Sequence, residues 1–223
     1  MLWALHSCGV PVRPQWLDRL RTALAGIDPA HYPDGLMNGL AGIAWAADAL
    51  GLGTEARELL DRANRRVVAQ GDPTFHHGLA GVGMTNLHFF LRGRDPRDLA
   101  AAQHCARALY DPARRDGGHA YWPAGSRARS PLTGLGSGPA GVAMFLLRMH
   151  QISGEEQYLG LGRGALAGET ARASTAGAAG SPDPDLLRCS TDYLTGSAGV
   201  LRVLHRVNSG GTADFLLHEA GPP

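Results

Sequence analysis

A short glycine motif occurs four times in this chain and constrains its fold more than any other feature. Each copy reads Gly, any residue, Ala, Gly, then Ile or Val, and the first glycines of successive copies are 39, 60 and 58 residues apart. Self-similarity at such intervals is typical of stacked or ring-forming supersecondary units, so we expect a repeat protein. The four copies are Gly39–Ile43, Gly78–Val82, Gly138–Val142 and Gly196–Val200.

The residues after each copy indicate that the repeating unit is helical. Apolar residues recur at spacings of three and four, which places them on one face of a helix and would scatter them over a strand. The third copy shows this best, with Val142, Phe145, Leu146, Met149 and Ile152. More charged segments at 54–70, 96–110 and 155–171 follow the first three copies and are predicted to form half-solvated helices. The expected unit is a glycine-headed inner helix followed by an amphipathic outer helix.

Two explanations account for a glycine pair at the start of a buried helix. Small residues let neighbouring backbones approach closely, and glycine accepts dihedral angles that are closed to other residues. The same helix N-termini would also present free N–H groups and a partial positive charge to a ligand. We favour packing as the main reason for the motif.

Composition is consistent with one compact helical domain over residues 1–223. Hydrophobic residues make up 44% of the chain and charged residues 18%, and the formal net charge is +1. The sequence has no basic tract to indicate nucleic acid and no apolar run of the ~20 residues needed to cross a bilayer. Three widely spaced cysteines argue against a disulfide framework and favour a reducing cytoplasm. Two stretches, 111–131 and 170–185, are rich in glycine, proline and small residues and are predicted to be irregular connections.

Three stretches carry a resemblance to a known family: Gly35–Gly51, His77–Phe90 and Gly134–His150. They resemble lanthionine synthetase C-like (LanC-like) cyclases, most closely the cyclase domain of class III and class IV lanthipeptide synthetases. The resemblance implies an α/α toroid of inner and outer helices. The activity that it implies is the addition of a peptide cysteine thiol to dehydroalanine or dehydrobutyrine, which gives a thioether ring in lanthipeptide biosynthesis.

Comparison of its repeats with those of that family predicts that the chain forms an incomplete toroid. We expect a partial first repeat and four motif-bearing repeats, without the final repeats of the family. Uncovered apolar helix faces would then favour a homo-oligomer. The partners that the resemblance implies are a ribosomal precursor peptide and a kinase and lyase that dehydrate it, with neither nucleic acid nor membrane involved.

The resemblance also bears on the chemistry. Zinc-dependent relatives hold the metal with Trp-Cys-x-Gly and Cys-His-Gly motifs, and neither motif stands in this chain. We therefore predict no metal and no other cofactor. The addition still requires a thiolate and a proton donor for the enolate, and histidine suits both roles near neutral pH. The candidate catalytic residues are His77 and His76, in a His-His-Gly sequence that resembles the family's Cys-His-Gly, and His119.

Other residues and functions carry weaker signals. The remaining helical histidines and Cys189 are interpreted as packing or surface residues, and Asp192 and Tyr193 as residues that line the cavity. One alternative function is a non-catalytic peptide-binding or scaffold module, and another is an inactive truncated fragment. An unrelated toroidal glycoside hydrolase would need two carboxylates facing one cavity, and the sequence offers no such pair. The histidines set aside are His31, His88, His150 and His205.

Overall fold

The computed structural model describes residues 2, 6, 8–122, 134–175, 181–182, 189–190 and 197–209. This part of the chain is mostly helical, as the repeat pattern predicts. In chain order the helices are α1 (Pro14–Ala25), α2 (Leu40–Ala49), α3 (Gly53–Gln70), α4 (Leu79–Gly93), α5 (Pro96–Tyr110), α6 (Gly134–Ser137), α7 (Pro139–Ser153), α8 (Glu156–Thr175) and α9 (Ser197–Ser209). A short 3-10 turn occupies Pro29–His31, and two small sheets pair β1 (Arg114–Asp116) with β2 (His119–Tyr121) and β3 (Ser181–Pro182) with β4 (Cys189–Ser190).

The helices form a two-layer stack of helical hairpins. Each of the first three motif-headed helices packs most extensively on the helix that follows it, so that α2 pairs with α3, α4 with α5, and α7 with α8. Helices α2, α4, α7 and α9 contact one another in that order, while α3, α5 and α8 form a second row. Motif-headed helices and more charged helices therefore alternate along the chain and form separate rows in these repeats.

Burial separates the two layers as the residue patterns predict. Every residue of helix α4 from Leu79 to Phe89 is buried. Outer helix α3 buries one stripe, which comprises Ala56, Leu59, Leu60, Ala63 and Val67, and exposes charged residues elsewhere. A stripe at spacings of three and four covers one side of a helix, so α3 can lie between the core and solvent.

The second glycine of the motif is required by close backbone contact. A Cβ atom at Gly81 would lie 2.2 Å from the carbonyl oxygen of Phe75, in the loop before the same helix, and 2.8 Å from the backbone nitrogen of Leu36 in the preceding repeat. The same contact with the loop carbonyl recurs at Gly42 (1.9 Å) and Gly141 (2.0 Å). These distances support the packing explanation of the motif.

The first glycine is needed for the same steric reason. Gly39 has φ −131° and ψ −169°, an extended conformation open to any residue, and Gly78 has φ −126° and ψ −149°. Cβ atoms at these positions would instead lie 2.4 Å and 2.0 Å from the carbonyl oxygens of Pro33 and Asp72. The expectation that this glycine provides dihedral freedom is wrong for Gly39.

Both predicted irregular connections contain regular structure. Within 111–131, the antiparallel β1–β2 hairpin pairs Arg115 with Ala120 and turns at Gly117 and Gly118, which have φ +54° and +83°. Within 170–185, α8 continues to Thr175 and β3 pairs with β4. Only Ala120 of the hairpin strands is buried, so the strands lack the alternation of apolar and polar residues that marks a strand. The sequence pattern therefore did not reveal them.

Apolar surface remains open at both ends of the described stack. A cleft of about 530 Å³ lies between α1 and α2, with Leu20, Leu24, Ile43 and Leu50 among its lining residues. At the other end, Leu201 of α9 is 62% exposed. These are the faces on which a further repeat or a second molecule could pack.

Among the described residues, none of the helices has the combination of length and apolar character that crossing a membrane demands.

Candidate functional site

The loops that precede the inner helices lie side by side and form the candidate site. The N–H of Met37 donates to the carbonyl oxygen of His76 (3.3 Å), and the N–H of His76 donates to that of Gly136 (2.8 Å). Each of these residues stands two positions before the first glycine of its motif. One main-chain hydrogen bond between each pair of neighbouring repeats therefore brings equivalent positions of three repeats into register.

This register brings His76 and His77 against the first repeat. The two imidazole rings stack with centroids 4.1 Å apart and an angle of 8° between their planes. Nε2 of His77 lies 3.0 Å from Nδ2 of Asn38, and the backbone N–H of His77 donates to the hydroxyl of Thr74 (3.2 Å). Both rings are half-buried, so they combine a fixed orientation with access from solvent.

The environment of His76 favours its neutral form. Burial of the ring lowers the pKa of His76, and the charge of neighbouring His77 lowers it further, while Asp72 acts in the opposite direction. The pKa therefore lies below the ordinary histidine value of 6.5. A neutral imidazole at physiological pH can accept a proton, which is the property that a general base needs.

Several backbone N–H groups at the helix N-termini beside the pair are bonded to the preceding loop. The N–H of Leu40 donates to the carbonyl oxygen of Pro33 (2.9 Å), that of Ala41 to Asp34 (3.1 Å), and that of Leu79 to Asp72 (2.8 Å). The preceding loop thus occupies the first N–H groups of α2 and the first N–H group of α4.

His119 lies in a different place from the His76–His77 pair. It is exposed on β2 and lines a depression of about 300 Å³ between the hairpin, the end of α5 and the start of α8. Gly164 of α8 supports the hairpin, since a Cβ there would lie 3.2 Å from the carbonyl oxygen of Gly118. His119 thus lies beside outer helices, whereas the His76–His77 pair lies where the inner helices begin.

The other histidines have the structural roles that we expected. His88 is 5% exposed, stacks on Trp45 with ring centroids 4.3 Å apart, and places Nε2 3.3 Å from Oδ2 of Asp48. His31 pairs with Asp28 at the surface, and His150 meets the carbonyl oxygen of Glu155 (3.1 Å). His205 is exposed on α9. Asp192, Tyr193 and the side chain of Cys189 lie outside the described residues.

One residue of the site was missed in the sequence. Asn38 contacts His77 across 39 positions of the chain and stands where His77 stands in the next repeat, directly before the first glycine. An alignment of the repeats on their glycines would have placed the two side chains at equivalent positions of adjacent loops. The signal was therefore present in the motif, but the contact depends on how the loops pack.

The geometry of the pair does not fit a zinc ion. The lone pair of an imidazole nitrogen lies in the plane of its ring, and two stacked rings have nearly parallel planes, so their lone pairs cannot converge on one metal at ~2.1 Å. Within the described ranges no group of three or more His, Cys, Asp or Glu side chains is placed to hold a metal ion. We derive no chemical step through a metal.

The described residues thus define a helical repeat protein with a paired-histidine site. No protein-family model matches the chain, and no curated protein matches its sequence. The chemistry of the histidine pair and the resemblance carried by the glycine motifs are therefore the basis on which a function can be proposed.

The lowered pKa of His76 predicts how stability depends on pH. The unfolded chain binds a proton at His76 more readily than the folded protein, so the free energy of unfolding should fall as pH decreases below about 6.5. Replacing His76 with glutamine should reduce that loss. Urea denaturation at about pH 8 and about pH 5.5 would measure it, with His104→Gln on an exposed face of α5 as the control. An unchanged pH dependence in His76→Gln would contradict the assignment.

Proposed function

We propose that this protein is a LanC-like cyclase that adds peptide cysteine thiols to dehydroalanine or dehydrobutyrine without a metal. The observation that carries the proposal is the stacked His76–His77 pair, held between neighbouring repeats at the start of inner helix α4. This pair directly precedes the second copy of the glycine motif on which the resemblance rests. An α/α toroid arrangement of the helices belongs to the same proposal, because small rotations between stacked hairpins make such an array curve.

His76 is the base in the proposed reaction. Its neutral imidazole takes the proton of the cysteine thiol, and the thiolate attacks the β-carbon of the dehydro residue. A C–S bond forms, the C=C π electrons move onto the α-carbon and its carbonyl, and an enolate results. The imidazolium of His76 then returns the proton to the α-carbon, so that atoms and charge balance with no oxidant or reductant.

His77 acts on the charge that develops during this addition. The enolate carries negative charge on the carbonyl oxygen of the dehydro residue, and an N–H donor directed at that oxygen would stabilise the transition state. A ring packed 4.1 Å from the base is close enough to contact the same substrate residue. The substrate is a dehydrated ribosomal precursor peptide, which a partner kinase and lyase would supply.

The proposal can be tested with a synthetic peptide that contains one dehydroalanine and one cysteine. Cyclisation leaves the peptide mass unchanged and removes the free thiol, so alkylation followed by mass spectrometry detects it. At about pH 6 a free thiol with pKa ~8.5 is protonated and uncatalysed addition is slow. We expect thiol loss with the protein and a decrease in rate of about 100-fold in His76→Ala, the scale of general acid–base catalysis.

Four comparisons make the test decisive. His104→Ala, on the exposed face of α5, should retain full activity and serves as the matched histidine control. Loss of activity in His119→Ala but not in His76→Ala would move the site to the hairpin depression and contradict the assignment. Peptide binding without thiol loss would favour the scaffold alternative over a cyclase, and loss of activity with a chelator would overturn the metal-free mechanism.

A further inference from the structure

We propose that Asn38 is a positioning residue that sets the tautomer of His77 from the neighbouring repeat. The contact joins Nδ2 of Asn38 and Nε2 of His77 at 3.0 Å. An amide nitrogen donates hydrogen bonds and does not accept them, so Nε2 of His77 must be the acceptor. The proton of the neutral His77 ring then lies on Nδ1.

The backbone around Asn38 is held firmly enough for this role. The N–H of Met37, directly before it, donates to the carbonyl oxygen of His76 (3.3 Å). At Gly35 the two loops approach so closely that a Cβ atom would lie 2.1 Å from that carbonyl oxygen and 2.3 Å from Cα of His77. Asn38 therefore approaches His77 from a loop that is fixed against the same residues.

The consequence for chemistry rests on the proposed function. With Nε2 occupied by the amide, the N–H of His77 projects from Nδ1 and is the donor available to the enolate oxygen. The reverse tautomer would direct its proton at Asn38 and leave Nδ1 as an acceptor. Asn38 would thus support the addition through His77 without contacting the substrate itself.

Nitrogen-15 NMR of the histidine rings tests the proposal on the resting protein, without any peptide. At about pH 8.5, well above the ordinary histidine pKa of ~6.5, we expect His77, assigned by comparison with His77→Gln, to be mainly the Nδ1–H tautomer. Asn38→Asp replaces the donor with a carboxylate, which only accepts, so the ring should change to Nε2–H. Asn38→Ala should give a mixture. Asn208→Asp, exposed on α9, is the control for the added charge and should leave the His77 tautomer unchanged.

The same tautomer in the wild type and in both Asn38 variants would overturn the proposal. Asn38→Ser, whose hydroxyl can donate or accept, provides a second variant if Asn38→Asp does not fold. In the cyclisation assay kcat of Asn38→Asp should fall about tenfold with little change in KM. A wild type without cyclase activity would refute the proposed function and leave the NMR result to decide the role of Asn38 by itself.

Discussion

Replacing Gly81 with alanine is expected to cost the protein about 3 kcal/mol or more of its stability. The added Cβ would lie 2.2 Å from the carbonyl oxygen of Phe75 and 2.8 Å from the backbone nitrogen of Leu36. Both are backbone atoms, and they belong to the loops of two different repeats, so neither can move without disturbing an inner-helix contact. Since the free energy of unfolding of a folded domain is only ~5–15 kcal/mol, this single methyl group could prevent folding.

A second glycine provides the control for this prediction. Gly160 lies in outer helix α8, and a Cβ there would meet nothing within 4 Å. Alanine is the better helix former by about 1 kcal/mol, so Gly160→Ala should leave stability unchanged or raise it. Urea denaturation followed by far-ultraviolet circular dichroism would compare the two variants. Equal stabilities would show that the loops yield and would refute the packing explanation of the motif.

Replacing Arg57 with alanine is expected to destabilise the protein by about 3 kcal/mol, the lower part of the range for breaking a buried ion pair. Arg57 on α3 makes two hydrogen bonds to the carboxylate of Asp98 on α5, one of them from Nη2 to Oδ2 at 3.0 Å. The Asp98 side chain is only 2% exposed, so removal of the guanidinium leaves a buried charge without its partner. The guanidinium also lies 4.8 Å from the centre of the Phe89 ring, and that contact is lost as well.

The two members of this pair should not be equivalent. The Arg57 side chain is 32% exposed, so in Asp98→Ala the remaining guanidinium can reach water and the variant should lose less stability than Arg57→Ala. Arg97→Ala is the surface control, because its 83% exposed side chain pairs with Asp95 in solvent and its removal should change little. Denaturation midpoints would rank the three variants, and a larger loss in Asp98→Ala than in Arg57→Ala would contradict this account.

The helices were predictable because their signals are local. Pro96 to Tyr110 was expected as an outer helix and is α5, with Asp95 capping its N-terminus. The β1–β2 hairpin was not predicted, since three-residue strands with one buried side chain carry too little alternation to distinguish them from a loop. Helix α8 ends at Thr175, whereas the sequence pattern predicted that this helix ends at residue 171. The predicted end was too early because small residues there resemble a connection.

The candidate site, like the fold, was predicted only in part from the sequence. His76 and His77 were identified because their His-His-Gly sequence resembles the Cys-His-Gly motif of LanC-like cyclases. The ring stacking, the lowered pKa of His76 and the hydrogen bond from Asn38 depend on loops from different repeats. Hydrophobic periodicity does not report pairings of polar side chains across such distances.

The glycine motif combines features that the local sequence determines with features that only the packing of the repeats determines. Its spacing and the periodic apolar residues after it were enough to predict where inner helices start, because helix initiation and amphipathicity depend on neighbours within a few residues. Which backbone atoms the glycines face was decided by the packed loops, and so was the dihedral angle of the first glycine. Contacts between residues separated by tens of positions arise only when the repeats stack, since they depend on the relative placement of whole helices.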